Sequence, residues 1–115
     1  MFRGEIWQMS IEKPRASRDG ESRKVVILSS DAMGVLPLKV VVPLTLWKDE
    51  YSTAPWMVRV PPVLHSGLDS VMAADALQVR SVSTIRLIKR LGELPDNHVA
   101  QITAAVSIVL EGETL

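Results

Sequence analysis

Residues 25–42, VVILSSDAMGVLPLKVVV, contain two short runs of β-branched and aliphatic side chains separated by a polar stretch with glycine and proline. The runs at 25–28 and 38–42 are bounded by polar residues, so both are predicted to be buried β-strands. Residues 31–37 are predicted to turn the chain between them. Pro43 follows the second run, and because proline has no backbone N–H, we expect it at a strand end or a sheet edge.

Outward from these two runs, the rest of the chain predicts further short strands. Residues 5–11 alternate polar and apolar side chains with the period of a half-buried strand, and residues 56–60 form a short strand stopped by a proline pair. Residues 70–82 are interpreted as a strand pair or as one long irregular strand. Ser83 can cap a single helical turn, after which residues 86–94 supply a last strand.

The C-terminal segment changes to a helical period. Its apolar side chains recur at spacings of three and four, which places them on one helix face: Val99, Ile102, Val106 and Val109. Pro95 and Asp96 suit the first turn, and Gly112 can end the helix. One amphipathic helix and several short antiparallel strands predict an α+β fold that is mostly β, with the helix packed on a small barrel.

Composition limits the class of protein. A chain of 115 residues with 47% hydrophobic side chains fits a single domain, 1–115, with a real core. There is no cysteine, which excludes disulfides and thiolate metal sites. No apolar run approaches the roughly 20 residues of a membrane span, and the first residues lack the apolar stretch of a secretory signal. We therefore expect a cytoplasmic protein that does not associate with a membrane.

The net charge is zero, but the charges are unevenly distributed. Basic residues crowd one early segment, with two acids among them: Lys13, Arg15, Arg18, Arg23, Lys24, Asp19 and Glu21. A basic segment on a neutral body suits a local contact with a polyanion, although the same charges also fit an ordinary solvated loop. The sequence contains no common phosphate, dinucleotide or metal motif, and His65 and His98 are expected at the surface. We expect neither a metal nor a cofactor, so an enzyme of this sequence must use Arg, Thr, Ser, Asp or Glu directly.

Several motifs, in order along nearly the whole chain, together resemble one family. They are residues 3–7 (RGEIW), 25–31 (VVILSSD), 41–45 (VVPLT), 67–71 (GLDSV), 78–82 (QVRSV) and 90–94 (RLGEL), with Arg23, Asp75 and Arg86 between them and the helix after them. This pattern is similar to that of the MazF/PemK (Kid) family of toxin endoribonucleases. The resemblance implies an SH3-like, PemK-like antiparallel barrel with the C-terminal helix packed on it.

Members of that family cut single-stranded RNA at short sequences without a metal and leave a cyclic phosphate. They form homodimers and are neutralised by a cognate antitoxin protein, so the resemblance implies the toxin of a type II toxin–antitoxin system. Such chemistry suits the residue types present, because the 2′-OH of RNA is itself the nucleophile. The protein has only to align that hydroxyl, move protons and stabilise the charged phosphorane.

The same resemblance implies roles for individual residues. Arg23 lies where the family has a catalytic Arg, which offers a fork of donors to phosphate, and Thr45 lies where the family has a catalytic Thr. Trp47, if exposed, can stack an unpaired base. Contacts to RNA are expected from Ser17, Arg18, Asp19, Lys24, Trp47 and Gln78.

Two departures from the family pattern affect the mechanism. Arg18 stands where an acid is expected, which leaves the proton acceptor unidentified, and Lys24 replaces the usual Pro after the catalytic Arg. Asp75, the third catalytic candidate, is separated from Gln78 by two residues where the family has none. Either the strand continues and Leu77 takes the acid's position, or a bulge absorbs the extra residues and restores Asp75; otherwise Asp75 caps a turn.

Two other functions fit the same fold. A CcdB-like binding toxin would inhibit a protein such as DNA gyrase and would not need the Arg23 and Thr45 pair. An inactive, antitoxin-binding relic would keep the fold after losing the expected acid. Cleavage of RNA in the presence of a chelator separates both from the nuclease.

Overall fold

The computed structural model describes residues 1–11 and 22–112. Within these ranges the chain forms antiparallel strands, short 3₁₀ turns and one helix. The elements are β1 (Glu5–Ser10), β2 (Ser22–Ile27), β3 (Leu38–Leu46), β4 (Met57–Val60), β5 (Met72–Asp75), β6 (Arg80–Ser83), β7 (Leu87–Glu93) and α1 (Asp96–Val109). The predicted class, α+β and mostly β, is confirmed.

Strand β3 is the longest and changes partner along its length. The order across the sheet is β4–β5–β3–β2–β1–β7, and β6 lies on β3. Residues 38–41 of β3 pair with β6, residues 41–43 with β2, and residues 44–46 with β5. Pro43 therefore lies inside the strand, and the expectation that it marks an end or an edge was wrong. On one side of β3, residues 38–41 pair with β6 and residues 44–46 pair with β5. Pro43 lies between these two paired segments, where no backbone donor is needed.

The two faces of the sheet cover different cores. The helix face, which carries Val26 and Val42, packs against α1 through Val99 and Ile102. The inner face, which carries Val25 and Val41, is the side on which β1, β2, β3, β6 and β7 surround a smaller apolar cluster. A 3₁₀ turn capped by Ser83, as predicted, joins β6 directly to β7. These two strands do not pair with each other in the described ranges, and neither do the end strands β4 and β7, so the sheet is not closed into the expected barrel.

The loop between β4 and β5 reaches from β4, at one end of the strand order, to β7 at the other end. It packs against β7, where the Glu93 N–H donates to the His65 carbonyl at 2.9 Å. Two glycines permit this approach. A Cβ added at Gly92 would collide with the His65 carbonyl oxygen, and one added at Gly67, which has a φ of +74°, would collide with the Leu91 carbonyl.

Helix α1 follows Pro95 and buries Val99 and Ile102, as the sequence predicts. Its end differs from expectation. The left-handed residue after the helix is Glu111, with a φ of 55°, and not Gly112. The Gly112 N–H still donates to the Ser107 carbonyl at 2.8 Å, which satisfies a carbonyl of the last turn.

Glu5 on β1 is a buried carboxylate, 8% exposed. Its Oε1 accepts from Trp7 Nε1 at 2.9 Å and from the Phe2 N–H at 3.0 Å, and its Oε2 accepts from Arg90 Nε at 3.0 Å. Burial alone raises the pKa of the Glu5 carboxyl, but these hydrogen bonds together outweigh burial and hold the pKa below its ordinary value. Glu5 thereby links the start of the chain, β1 and β7.

Candidate functional site

Arg23 and Thr45, the two residues predicted to carry the chemistry, lie on the same face of the sheet. Val25 on β2 pairs with Pro43 on β3. Arg23 and Thr45 each lie two residues beyond this pair, in the same register. Because side chains alternate faces along a strand, both project from the inner face, at facing positions where the β2–β3 ladder ends. Both residues are half-buried.

A hydrogen-bond chain holds the guanidinium of Arg23. Arg23 Nη1 donates to Gln78 Oε1 at 3.3 Å, and Gln78 Nε2 donates to Asp75 Oδ2 at 2.7 Å. The other oxygen of the carboxylate, Oδ1, accepts from the Leu77 N–H at 3.1 Å. Asp75 thus caps the 3₁₀ turn Ala76–Gln78 and supports Gln78 at the same time.

The 3₁₀ turn explains the two extra residues between Asp75 and Gln78. The chain neither continues as a strand nor forms a bulge there; it winds through one short turn. Leu77 is 56% exposed, whereas Asp75 is 7% exposed and contacts Gln78. The structure therefore brings Asp75, and not Leu77, beside Gln78. Asp75 also caps the turn, as the third alternative proposed.

A row of side chains extends from Thr45 across the next two strands. Thr45 pairs with Ala73 on β5, and Ala73 pairs with Arg59 on β4. Trp47 continues the β3–β5 register, since its N–H donates to the Val71 carbonyl at 3.1 Å. Thr45, Trp47, Ala73 and Arg59 consequently share the inner face. Arg59 could not be singled out from the sequence, because the sequence does not show which strands pair with β4 and β5.

The tryptophans differ in their surroundings. Trp47 is half-buried, and its ring meets that of Tyr51 edge to face, with centroids 5.8 Å apart. Trp7 packs against the smaller apolar cluster, and Trp56 is half-buried. Trp47 is thus the tryptophan that lies on the inner face next to Thr45.

The remaining predicted contacts divide into two groups. Lys24 neighbours Arg23 but projects from the helix face, because adjacent strand residues point to opposite sides. The structure therefore does not bring Lys24 to Arg23 and Thr45, and the predicted basic pair does not converge. Ser17, Arg18 and Asp19 lie outside the described residues.

The arrangement suits a phosphodiester better than a metal ion. A guanidinium presents five N–H donors in a fixed plane, and the bond to Gln78 holds that plane on the face from which Thr45 also projects. Across 1–11 and 22–112, no group of three or more His, Asp or Glu could hold a metal. In the same part of the chain, no helix has the length and apolar character to span a membrane.

An open, mostly β sheet with a C-terminal helix packed on it is the fold of a known protein family. This chain belongs to the PemK-like, MazF-like toxins of type II toxin–antitoxin systems, whose family model matches residues 2–110. It is 29% identical over 117 aligned positions to the endoribonuclease MazF9 of Mycobacterium tuberculosis, covering 96% of this chain and 97% of that protein.

Solved structures share the fold. A MazE–MazF structure from Deinococcus radiodurans superposes with a TM-score of 0.79 at 23% identity, covering 98% of this chain and 97% of that one. An endoribonuclease from a mycobacterial species, in complex with its cognate antitoxin, gives a TM-score of 0.78 at 19% identity, covering 100% and 99% of the two chains. The architecture is therefore that of known toxin structures.

Proposed function

We propose that this protein is a metal-independent endoribonuclease, the toxin of its toxin–antitoxin system, and that it cuts single-stranded RNA at a short sequence. The observation that carries the proposal is the facing placement of Arg23 and Thr45 on the inner face. The mycobacterial relative that matches almost the full chain is an endoribonuclease, which supports the same activity.

In the proposed reaction, the 2′-oxygen of a ribose attacks the adjacent phosphorus. A new oxygen–phosphorus bond forms, the bond to the 5′-oxygen breaks, and a cyclic phosphate remains. Arg23 donates hydrogen bonds to the phosphate and stabilises the negative charge that builds in the transition state. The Thr45 hydroxyl donates one further hydrogen bond to the same phosphate. Water takes up the proton that leaves the 2′-hydroxyl, and water supplies a proton to the departing 5′-oxygen, so no net proton is consumed.

Asp75 contributes to this reaction through Gln78. Both of its carboxylate oxygens already accept hydrogen bonds, from the Leu77 N–H and from Gln78 Nε2. We therefore assign Asp75 as a positioning residue that fixes Gln78 and, through it, Arg23. Gln78, exposed at the rim, and Trp47 are proposed to contact the RNA, together with Ser17, Arg18 and Asp19.

We further propose that the protein acts as a homodimer in the cytoplasm and is neutralised by a cognate antitoxin protein, as in the antitoxin complex of its mycobacterial structural neighbour. A set of exposed apolar side chains, called here the apolar patch, suits contact with a second copy. It comprises Phe2, Met33, Val35, Leu36, Leu38, Val40 and Ile85. Three of them, Phe2, Val35 and Leu36, line a cleft of about 490 Å³. Val35 is 99% exposed and Ile85 87% exposed, which is costly for apolar side chains left in water.

One experiment tests the activity directly. A long RNA of defined sequence is incubated with the protein in excess chelator, and the new ends are mapped and tested for a cyclic phosphate. The wild type should cut at a recurring short sequence, and Arg23→Ala and Thr45→Ala should each lose at least about a hundredfold in rate. Lys89→Ala removes an exposed charge on β7 and serves as the control. Intact RNA with the wild type, or inhibition of gyrase instead, would refute the proposal.

A further inference from the structure

We infer that Arg59 binds the RNA backbone, at a phosphate next to the one that Arg23 and Thr45 engage. The inference rests on the proposed function and adds to it a binding residue on β4. It also gives the path of the RNA, which would cross the strands in the order β2, β3, β5, β4.

The register of three ladders places Arg59 in line with the candidate site. Thr45 faces Ala73, Ala73 faces Arg59, and Arg23 faces Thr45 in the continued β2–β3 register. Adjacent paired strands lie about 4.8 Å apart, so the Cα atoms of Thr45 and Arg59, which are two strands apart, are separated by about 10 Å. Arg23 lies on the other side of Thr45, one strand further from Arg59. The two guanidinium groups therefore suit different phosphates of one strand.

Ala73 lies between Thr45 and Arg59 and contributes only a methyl group. It is fully buried, so the RNA would pass over the side chains that cover it and would not contact Ala73 itself. Trp47 lies two residues after Thr45, just beyond the end of β3, and therefore projects from the same face. An aromatic ring beside a line of cations is the arrangement that holds unpaired bases and backbone together.

The charge of Arg59 is available for such a contact. Its side chain is exposed, and no carboxylate in residues 1–11 and 22–112 lies within ion-pair distance of it. Asp75, the acid on the neighbouring strand of the same face, is already engaged by Gln78 and Leu77. An exposed guanidinium without an acid partner keeps its donors for phosphate.

The test measures binding without cleavage. The probe is a fluorescein-labelled single-stranded RNA of mixed sequence, 2′-O-methylated throughout, which lacks the nucleophile. Its affinity is measured against salt concentration by fluorescence anisotropy for the wild type, Arg59→Ala, Arg59→Lys and the control Lys89→Ala. Arg59→Ala should weaken binding about tenfold at low salt and reduce the log–log salt slope by about 0.7, the value for one phosphate contact on a single strand. Arg59→Lys should keep the slope, and Lys89→Ala should change neither quantity.

The outcomes separate this inference from the proposed function. If Arg59→Ala binds like the wild type, or weakens binding with an unchanged salt slope, the inference is wrong. The nuclease proposal then still stands, provided that the wild type cuts RNA and Arg23→Ala does not. A wild type that neither cuts RNA nor binds the probe overturns both. Melting curves of the variants confirm that each is folded.

Discussion

Gln78 donates from Nε2 to the buried Asp75 at 2.7 Å, and the opposite end of the same amide accepts from Arg23. The carboxylate fixes the orientation of the amide, because an ionised Asp accepts hydrogen bonds and donates none. The amide oxygen is therefore turned toward Arg23. Asp75 thus controls the direction of the Arg23 guanidinium through Gln78, without contacting Arg23 in this chain of hydrogen bonds.

Replacing Gln78 by Met should slow cleavage and also weaken RNA binding. Methionine keeps much of the size of the side chain but removes both hydrogen bonds, so Arg23 loses its orientation and the RNA loses the proposed contact with the amide. We expect kcat to fall about tenfold and KM to rise, as measured on an RNA that contains the mapped cleavage site. Asp75→Asn should lower kcat by a similar factor, because the new amide can turn Gln78 over and present its NH₂ group to Arg23.

The pair of variants discriminates between positioning and direct proton transfer. If Asp75→Asn abolishes cleavage while Gln78→Met cuts RNA at the wild-type rate, Asp75 acts on the proton itself and the positioning role is wrong. Unfolding curves provide the control, since loss of the cap on the 3₁₀ turn costs about 1 kcal/mol and does not unfold the protein.

A charge in the apolar patch should dissociate the dimer. Ile85→Lys and Val35→Lys each place an ammonium group among apolar side chains that we propose to be covered by the second copy. Analytical ultracentrifugation should show monomers for these variants at concentrations where the wild type is dimeric. Leu64→Lys, at a residue 82% exposed but outside the patch, is the matched control and should remain dimeric. Dimers in both patch variants would exclude this surface.

The glycine contact between β7 and the β4–β5 loop should tolerate no side chain. Gly92→Ala forces a methyl group into the backbone of His65 and Ser66, and the His65 carbonyl cannot move away without breaking the bond that it accepts from the Glu93 N–H. We expect a loss of about 2–4 kcal/mol in the free energy of unfolding, measured by urea denaturation. Gly34→Ala is the control, because its Cβ would meet only the Asp31 carbonyl at 3.2 Å and its φ is not positive. Equal stability of the two variants would contradict the prediction.

Glu5 should make stability depend on pH in the acid range. Its pKa is lower in the folded protein than in the unfolded chain, so its contribution is present above the unfolded pKa and is lost as the pH falls through the folded pKa. Glu5→Gln should therefore destabilise the protein by about 1–2 kcal/mol at neutral pH and by progressively less below about pH 4. Urea unfolding of both proteins across this range measures the difference. A constant difference would show that packing, and not charge, is what Glu5 contributes.

The sequence predicts the strands better than the contacts between them. β-Branched runs and alternation predicted most elements, and the family resemblance supplied Arg23 and Thr45. Residues whose place depends on strand pairing could not be found this way. Arg59 joins the site only through Ala73 on β5, and Pro43 fits inside β3 only because two partner strands meet beside it. The turn at Asp75 depends equally on tertiary contacts, because Gln78 lies against β2.

Lys24 was expected beside Arg23 at the phosphate, and the period of the strand alone places it on the other side. This alternation has a genetic consequence. Deleting Lys24 would shift Arg23 by one position relative to Val25, while most backbone hydrogen bonds of β2 could still form. The guanidinium would then point toward α1, and we expect an in-frame loss of three nucleotides to abolish the proposed RNA cleavage as fully as Arg23→Ala does.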